Sequence, residues 1–402
     1  MNILVISHVY PGGGTPQSFT PVVHYFAREW VKQGHKVIVV NLSTYFPCIA
    51  YHLPSFVKKY LVNKFQFALP EKRLNKAIDF NYEGVDVIRV PIFKYKPSMV
   101  VPYKRQAKQA DYIIAKLQER GFVPDVAVGH WQNPLYILSC IKAHYGCGTA
   151  MVLHGAVSFD RYPNWKNLTS QIDLWGLRSA CMTEAFDKLM GTGTPRFICA
   201  SGTPQSIVNL EADLMRWNNR YIYVGFLLER KYPNVVIKTL PKVYDQDDYH
   251  LDVVGSGFIE NELHALIRQL DEEHRINMTG RKPREEVIPM LDKADCFIMI
   301  SRDEVFGLVY LEAMARGCIV VASRGEGMTG IIEDGVNGFL CAAGDEDELA
   351  QIVQKIRSLT SEDRLEIRKA AMKTASEYTD WKVAERYAEQ LSTIKNNYEE
   401  TY

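Results

Sequence analysis

The chain runs twice through the same alternation of short apolar strands and amphipathic helices, and this double run constrains its fold more than any other feature. In the first run Ile3 to Ile6 reads as a buried strand and residues 8 to 19 as a Pro/Gly/Thr/Ser loop. A helical pattern then continues to Gln33, where Gly34 stops it, and Lys36 to Val40 forms the next strand. Val126 to Val128, Ala150 to Leu153 and Phe197 to Cys199 extend the series, with helical stretches between them as a parallel sheet requires. The second run starts near residue 220, with strands at Tyr221–Val224, His250–Val254, Arg275–Met278, Cys296–Ile300 and Ile319–Ala322. Helices intervene there too, at Phe258 to Leu270 and Arg284 to Lys293. The break lies at residues 200 to 220, so the pattern predicts an α/β protein of two Rossmann-like, doubly wound domains, 1–205 and 206–378.

Residues 45 to 120 interrupt the first run with aromatics (Tyr45, Phe46, Phe56, Tyr60, Phe65, Phe67) and bases (Lys58, Lys59, Lys64, Lys72, Arg73, Lys76). Two readings stand. One is an insertion that binds an acceptor or makes peripheral contact with a membrane surface, and the other is a helical excursion with a solvated basic face. Charge does not choose between them. Lys plus Arg and Asp plus Glu each number 47, so the chain has no global drive towards nucleic acid. Eight scattered cysteines lack metal-ligand spacing and read as thiols packed in a reducing compartment. The opening apolar run is too short for a signal peptide and no stretch is long enough to span a bilayer, so the expected location is the cytoplasm, possible contact with the inner face of the membrane included.

The chemistry concentrates at residues 301 to 317. A strand ends at Ile300, an acidic loop carries Glu304, and a helix opens near Gly307, carries Glu312 and stops at Gly317. Two glutamates eight apart are by themselves ordinary surface charge. Their position matters more, because open α/β sheets bind ligands beyond the carboxyl ends of their strands. The amides of Phe306, Gly307 and Leu308 at the helix start suit an anion.

The run Glu304-Val305-Phe306-Gly307-Leu308-Val309-Tyr310-Leu311-Glu312-Ala313 resembles the hallmark of the retaining glycosyltransferases of family 4 (the glycosyl transferases group 1), Glu-x-Phe-Gly-Leu-x-x-x-Glu-Ala. The resemblance implies the GT-B fold, in which two such domains face a central cleft, the first on the acceptor side and the second binding the nucleotide-sugar. It implies that Glu304 binds donor-sugar hydroxyls, Glu312 the ribose, and the amides of 306 to 308 the sugar and phosphates. Pro11-Gly12-Gly13-Gly14 matches the family's glycine loop beside the donor phosphates, though turns use glycine as well. His130 matches the family's histidine near the donor sugar, and His154 ends the next strand; an isolated histidine is more often structural. Lys231 matches the diphosphate-binding lysine. Phe226 stands where the family usually carries arginine, so either Arg230 supplies the second cation or the leaving group is held more weakly. Gly255 and Gly257 open a helix, and Arg281 falls near the family's base site; simple turn chemistry is the competing account of the glycines. Tyr378 to Trp381 and the helix after it, 379–402, resemble the closing segment that packs back on the first domain.

The implied reaction is sugar transfer from a nucleotide-sugar, a UDP-sugar by default or GDP-mannose, to a glycan or lipid-linked acceptor in surface polysaccharide or glycoconjugate biosynthesis. No carboxylate is assignable as a nucleophile, so a front-face reaction is expected, with His130, Lys231 and Glu304 as its catalytic residues. No Asp-x-Asp motif falls in a plausible cleft loop, and no metal or other cofactor is expected. A nucleotide-sugar epimerase of the same architecture, or an inactive sugar-nucleotide-binding module, are the alternative readings.

Overall fold

The computed structural model describes residues 1–15, 21–54, 57, 72–155, 157–209, 211–244 and 248–399. It divides into two compact units. The first comprises Met1–Arg178, Met182–Cys199 and Asp380–Tyr402, and the second Ser179–Cys181 and Ala200–Thr379.

The first unit is built on a sheet of eight strands: β1 (Asn2–Ser7), β2 (Lys36–Tyr45), β3 (Ile78–Tyr82), β4 (Val85–Phe93), β5 (Val126–His130), β6 (Gly148–Leu153), β7 (Leu174–Leu177) and β8 (Arg196–Ile198). Their spatial order is β3-β4-β2-β1-β5-β6-β7-β8, with β3 antiparallel to β4 and every other pairing parallel. The order reverses direction at β1, which lies between β2 and β5. Crossovers of one hand then place helices on both faces, and both faces must be apolar. The continuous burial of Ile3, Leu4, Val5 and Ile6 shows that demand being met.

Part of the stretch that reads as an interruption is sheet. Val85–Phe93 runs parallel to Lys36–Tyr45 along its length, and Ile78–Tyr82 closes the edge as a hairpin through Glu83 and Gly84. Tyr103–Glu119 is a helix whose Ile113 and Leu117 are buried. Of the basic and aromatic residues singled out there, Phe56, Lys58, Lys59, Tyr60, Lys64, Phe65 and Phe67 lie outside the described residues. Among the rest, Phe46 is buried, while Lys72, Arg73 and Lys76 are exposed.

In the second unit the strands are β9 (Arg220–Val224), β10 (His250–Val254), β11 (Ile276–Gly280), β12 (Cys296–Met299), β13 (Ile319–Ser323) and β14 (Phe339–Cys341). All pair in parallel in the order β11-β10-β9-β12-β13-β14, with the reversal between β9 and β12. All eight cysteines are free, and five of them (Cys147, Cys199, Cys296, Cys318, Cys341) are buried as small hydrophobes. Among the described residues no helix is long and apolar enough to cross a membrane.

The helix Asp380–Glu399 belongs to the first unit. Trp30, from the helix Val22–Lys32, is fully buried and donates its indole N–H to the Ala384 carbonyl at 2.8 Å. Tyr387 packs edge-on against Trp30 at 4.9 Å and against Phe26 at 5.2 Å. Trp30→Ala removes both the ring and the hydrogen bond, so it is expected to cost about 3–5 kcal/mol in the first unit. Denaturant unfolding followed by far-UV circular dichroism should show its transition moved to lower denaturant. An unmoved transition would mean that the C-terminal helix adds no stability there.

Candidate functional site

The reversal between β9 and β12 leaves a crevice at the carboxyl ends of these strands, because their crossovers depart in opposite directions. The chain leaves β9 through a short 3-10 turn, Glu229–Lys231, and leaves β12 through the loop that carries Glu304. Lys231 Nζ lies 2.8 Å from Glu304 Oε2, with the two side chains 12% and 14% exposed. Residues 73 apart in sequence are thus brought together by strand order. An ammonium has three donors, so Lys231 holds the carboxylate with one and has others for a ligand anion.

The loop is held on both sides. Glu304 N–H donates to Glu326 Oε2 at 2.8 Å, and Arg230 Nη1 donates to the carbonyls of Arg302 and Asp303 at 3.0 and 3.2 Å. Asp303 adopts φ +57°, a left-handed turn that a non-glycine residue takes at some cost. Gly307, at φ +76°, caps the helix Leu308–Ala315, and no side chain caps its first amides. A helix start left open in this way favours an anion. Gly327 lets the loop lie flat, since a Cβ there would come within 2.6 Å of the Phe306 backbone nitrogen. Tyr310 pins the helix to the strand end by donating its hydroxyl to the Met299 carbonyl at 2.7 Å.

Other predicted donor residues of this unit take different places. Glu312 is buried and ion-paired to Arg284 at 2.7 Å; burial raises its pKa and Arg284 opposes the rise. Phe226 is 57% exposed, so it contributes apolar surface where a cation was in question. Arg281 is exposed on the loop after β11. Gly255 has a packing cause, because a Cβ would come within 1.9 Å of the Gly225 carbonyl oxygen. The Gly257 contact with Leu227 is of the same kind.

In the first unit, Gly12, Gly13 and Gly14 all have positive φ (+82°, +56°, +86°), a run that side-chain-bearing residues resist. Arg89 of β4 shapes this loop. It is fully buried and donates to the carbonyls of Gly13 at 2.6 Å and Gly12 at 2.8 Å, to Thr15 Oγ1 at 2.9 Å and to Asn41 Oδ1 at 3.1 Å. None of these acceptors is charged, so the guanidinium leaves a net positive charge beneath the glycines.

His130 has no exposed surface. Its ring lies against Phe26 and Tyr387, its Nδ1 is 2.8 Å from His154 Nε2, and its own Nε2 is buried without a hydrogen bond. Burial, helped by the nearby Arg178 charge, pushes its pKa down to about 3, and the same causes lower that of His154. Both rings are neutral near pH 7. His154 is the half-buried member of the pair, stacked on Trp131 at 3.9 Å, and Trp131 itself sits at φ +63°. A ligand at these strand ends therefore meets His154, with His130 behind it.

Residues 217–374 match the family of glycosyl transferases group 1. That stretch holds Lys231, Glu304, Glu312 and the loop between them. The amylovoran biosynthesis glycosyltransferase of Erwinia amylovora is 32% identical over 144 residues, 34% of this chain and 35% of that protein. A putative colanic acid biosynthesis glycosyltransferase of Salmonella typhimurium is 29% identical over 239 residues, 55% of each. The chain spans about a third of the length of the first curated relatives it matches. A crystal structure of the Anabaena protein HepE with UDP and glucose superposes over 98% of this chain and 100% of its own at 19% identity, TM-score 0.66, which shows the shared GT-B fold. The family match thus covers the loops of the second unit's site, and the structural likeness shows the fold.

Three functional candidates escaped the sequence reading. Glu326 lies in the noted run Arg324-Gly325-Glu326-Gly327, but nothing in its spacing points to Glu304. Arg284 opens a helix and looks like an ordinary surface charge, and Arg89 hides in a stretch not read as strand. Among the described residues no cluster has the makings of a metal site.

The buried histidines give the first unit a defined acid response. His8 is held down to about 4 and His130 to about 3, against an ordinary 6.5. Because folding favours the neutral rings, their contribution is complete above pH 6.5 and is withdrawn as pH falls towards 4 and then 3. The thermal midpoint should drop through that window, and His130→Phe should remove about one proton from the slope. An unchanged slope would show that His130 does not resist protonation in the fold.

Proposed function

We propose that the protein is a retaining glycosyltransferase that moves a sugar from a nucleotide-sugar to a glycan or lipid-linked acceptor in polysaccharide or glycoconjugate biosynthesis. One observation carries the reading: Lys231 and Glu304 meet at 2.8 Å across the strand-order reversal, beside an uncapped helix start. The names of the Erwinia and Salmonella relatives support the polysaccharide assignment. A UDP-sugar is the first donor to test and GDP-mannose the second.

In the proposed reaction the bond between the anomeric carbon and the diphosphate oxygen breaks, and its electron pair leaves with the nucleotide diphosphate. The acceptor hydroxyl attacks from the same face and gives its proton to the departing phosphate oxygen, so configuration is retained. Negative charge grows on the diphosphate as the bond lengthens. Lys231 and the amides at Gly307 and Leu308 stabilise that charge in a setting already organised for it. Glu304, anchored by Glu326 and Lys231, accepts hydrogen bonds from donor-sugar hydroxyls, and Glu312 those of the ribose. Arg230 acts by holding the acidic loop. In the first unit, His154 offers a neutral ring to a ligand at the strand ends, and His130 sets its orientation.

Lys231→Ala should lower kcat/KM by about a hundredfold or more while secondary structure stays intact. Glu304→Gln, which keeps shape but loses charge, should fall in the same range. A thermal-shift screen of UDP, GDP and ADP identifies the base, and turnover is then measured with the matching donor. Wild-type rates in both variants would sink the assignment, and product formed without any acceptor would replace it with an epimerase. Turnover should persist in excess chelator; its complete loss would overturn the metal-independent reaction.

A further inference from the structure

A second feature of the first unit is a pocket beyond the ends of β1, β2, β4 and β5 whose polar wall is His8, Lys94, Gln106, Gln109 and Asn133. The rest of the lining is mostly apolar, including Leu42, Ile92 and Ile137. It lies on the edge of the sheet where the strand order reverses at β1, the place at which open α/β sheets take ligands.

Its polar groups are incompletely paired in a specific way. Lys94 is 8% exposed, and among the described residues no carboxylate or hydrogen-bond acceptor is paired with its ammonium. Burying an ammonium without an anion is costly. His8 Nδ1 lies 2.9 Å from the Leu42 carbonyl, which fixes its proton there and leaves Nε2 as a buried lone pair without a partner. Gln106 is 4% exposed and spends its amide N–H on the Val101 carbonyl at 2.7 Å, and its Oε1 is buried and unpaired. Gln109 Oε1 is in the same condition. Asn133 already accepts the Tyr162 hydroxyl at 2.8 Å. The pocket thus presents one cation without a paired carboxylate among the described residues and three acceptors without donors. Water can hydrogen-bond to all of them, but only an anion offsets the positive charge.

We infer that this pocket binds the anionic, hydroxyl-bearing part of the acceptor, a sugar acid or a sugar phosphate, with Lys94 on the anion and His8, Gln106 and Gln109 on neighbouring hydroxyls. The word acceptor rests on the transferase reading above; the ligand chemistry rests on the pocket alone. The space admits groups of about water size, so a carboxylate or phosphate edge enters and the rest of the ligand lies outside. The pocket also shares a frame with the glycine loop. Asn41 donates to the His8 carbonyl at 3.3 Å and accepts from Arg89, which in turn holds Gly12 and Gly13. An anion seated on Lys94 is thereby tied, through His8, Asn41 and Arg89, to the glycine loop of the same unit.

The test is calorimetric titration of the full chain with glucuronate, glucose 6-phosphate, inorganic phosphate and glucose, each in wild type, Lys94→Met and Gln106→Glu. One of the anionic sugars should bind saturably and about tenfold or more tighter than glucose, the size of one charge-assisted hydrogen bond. Preference for glucuronate or for glucose 6-phosphate separates a carboxylate from a phosphate ligand, and inorganic phosphate binding as well as the sugar phosphate removes the hydroxyl contribution and overturns that part. Lys94→Met, which keeps the aliphatic stem, should erase the preference. Gln106→Glu, which places a like charge beside the anion, should do the same and covers the case in which the lysine variant fails to fold. Equal binding of glucose and its anionic relatives by wild type, or an undiminished preference in both variants, overturns the inference. UDP and GDP titrations with Lys231→Ala run in parallel. Loss of nucleotide binding there with the pocket intact, or the reverse, tells which of the two readings has failed.

Discussion

Both halves of the molecule depend on one constraint, the reversal of strand order in a parallel sheet. A strand with crossovers leaving it in opposite directions cannot have its carboxyl end covered by either helix, and the open crevice that results is where side chains from distant segments meet. In the second unit this geometry sets Lys231 against Glu304. In the first it gathers His8 after β1, Asn133 after β5 and Lys94 after β4 around one pocket. The chemistry is thus a product of topology before it is a product of any single residue.

The two units treat positive charge differently. The second pairs its central lysine with a carboxylate, so the site is nearly neutral until a ligand arrives. The first buries Arg89 against carbonyls, a hydroxyl and an amide, and Lys94 with no counter-charge among the described residues. Burial lowers the pKa of both, because desolvation disfavours the charged form. Such cations are tolerated where fixed dipoles surround them, and they favour an anion nearby.

Much of the second unit was legible in the sequence because its strands are continuous apolar runs with glycines at their ends. The acidic loop was legible too, because the apolar run Cys296–Ile300 ends immediately before it and fixes its place after β12. The sequence reading was poorer at the edges. Val85–Phe93 mixes Asp86, Arg89 and Pro91 into its apolar pattern, because a strand near a sheet edge with a buried arginine need not be uniformly hydrophobic. Leu174–Leu177 and Phe339–Cys341 are too short for periodicity to register. Spacing placed His130 at a strand end but said nothing of its depth. Only packing against Phe26 and Tyr387 reveals that His130 is the deeper ring and His154 its half-buried partner. Likewise, partners such as Glu326 and Arg284 are set by side-chain reach across loops, which one-dimensional spacing does not encode.

The first unit is discontinuous, opening with Met1 and regaining its final helix only at Asp380, after the whole second unit has been threaded through it. A ribosome therefore delivers every strand of the second sheet before it delivers the residues that cover Trp30, Phe26 and His130. During synthesis the later-encoded half can finish folding while the earlier-encoded half waits with an apolar groove uncovered. Chaperone dependence and sensitivity to premature stop codons should accordingly be governed by the last few turns of helix rather than by the region that carries the chemistry.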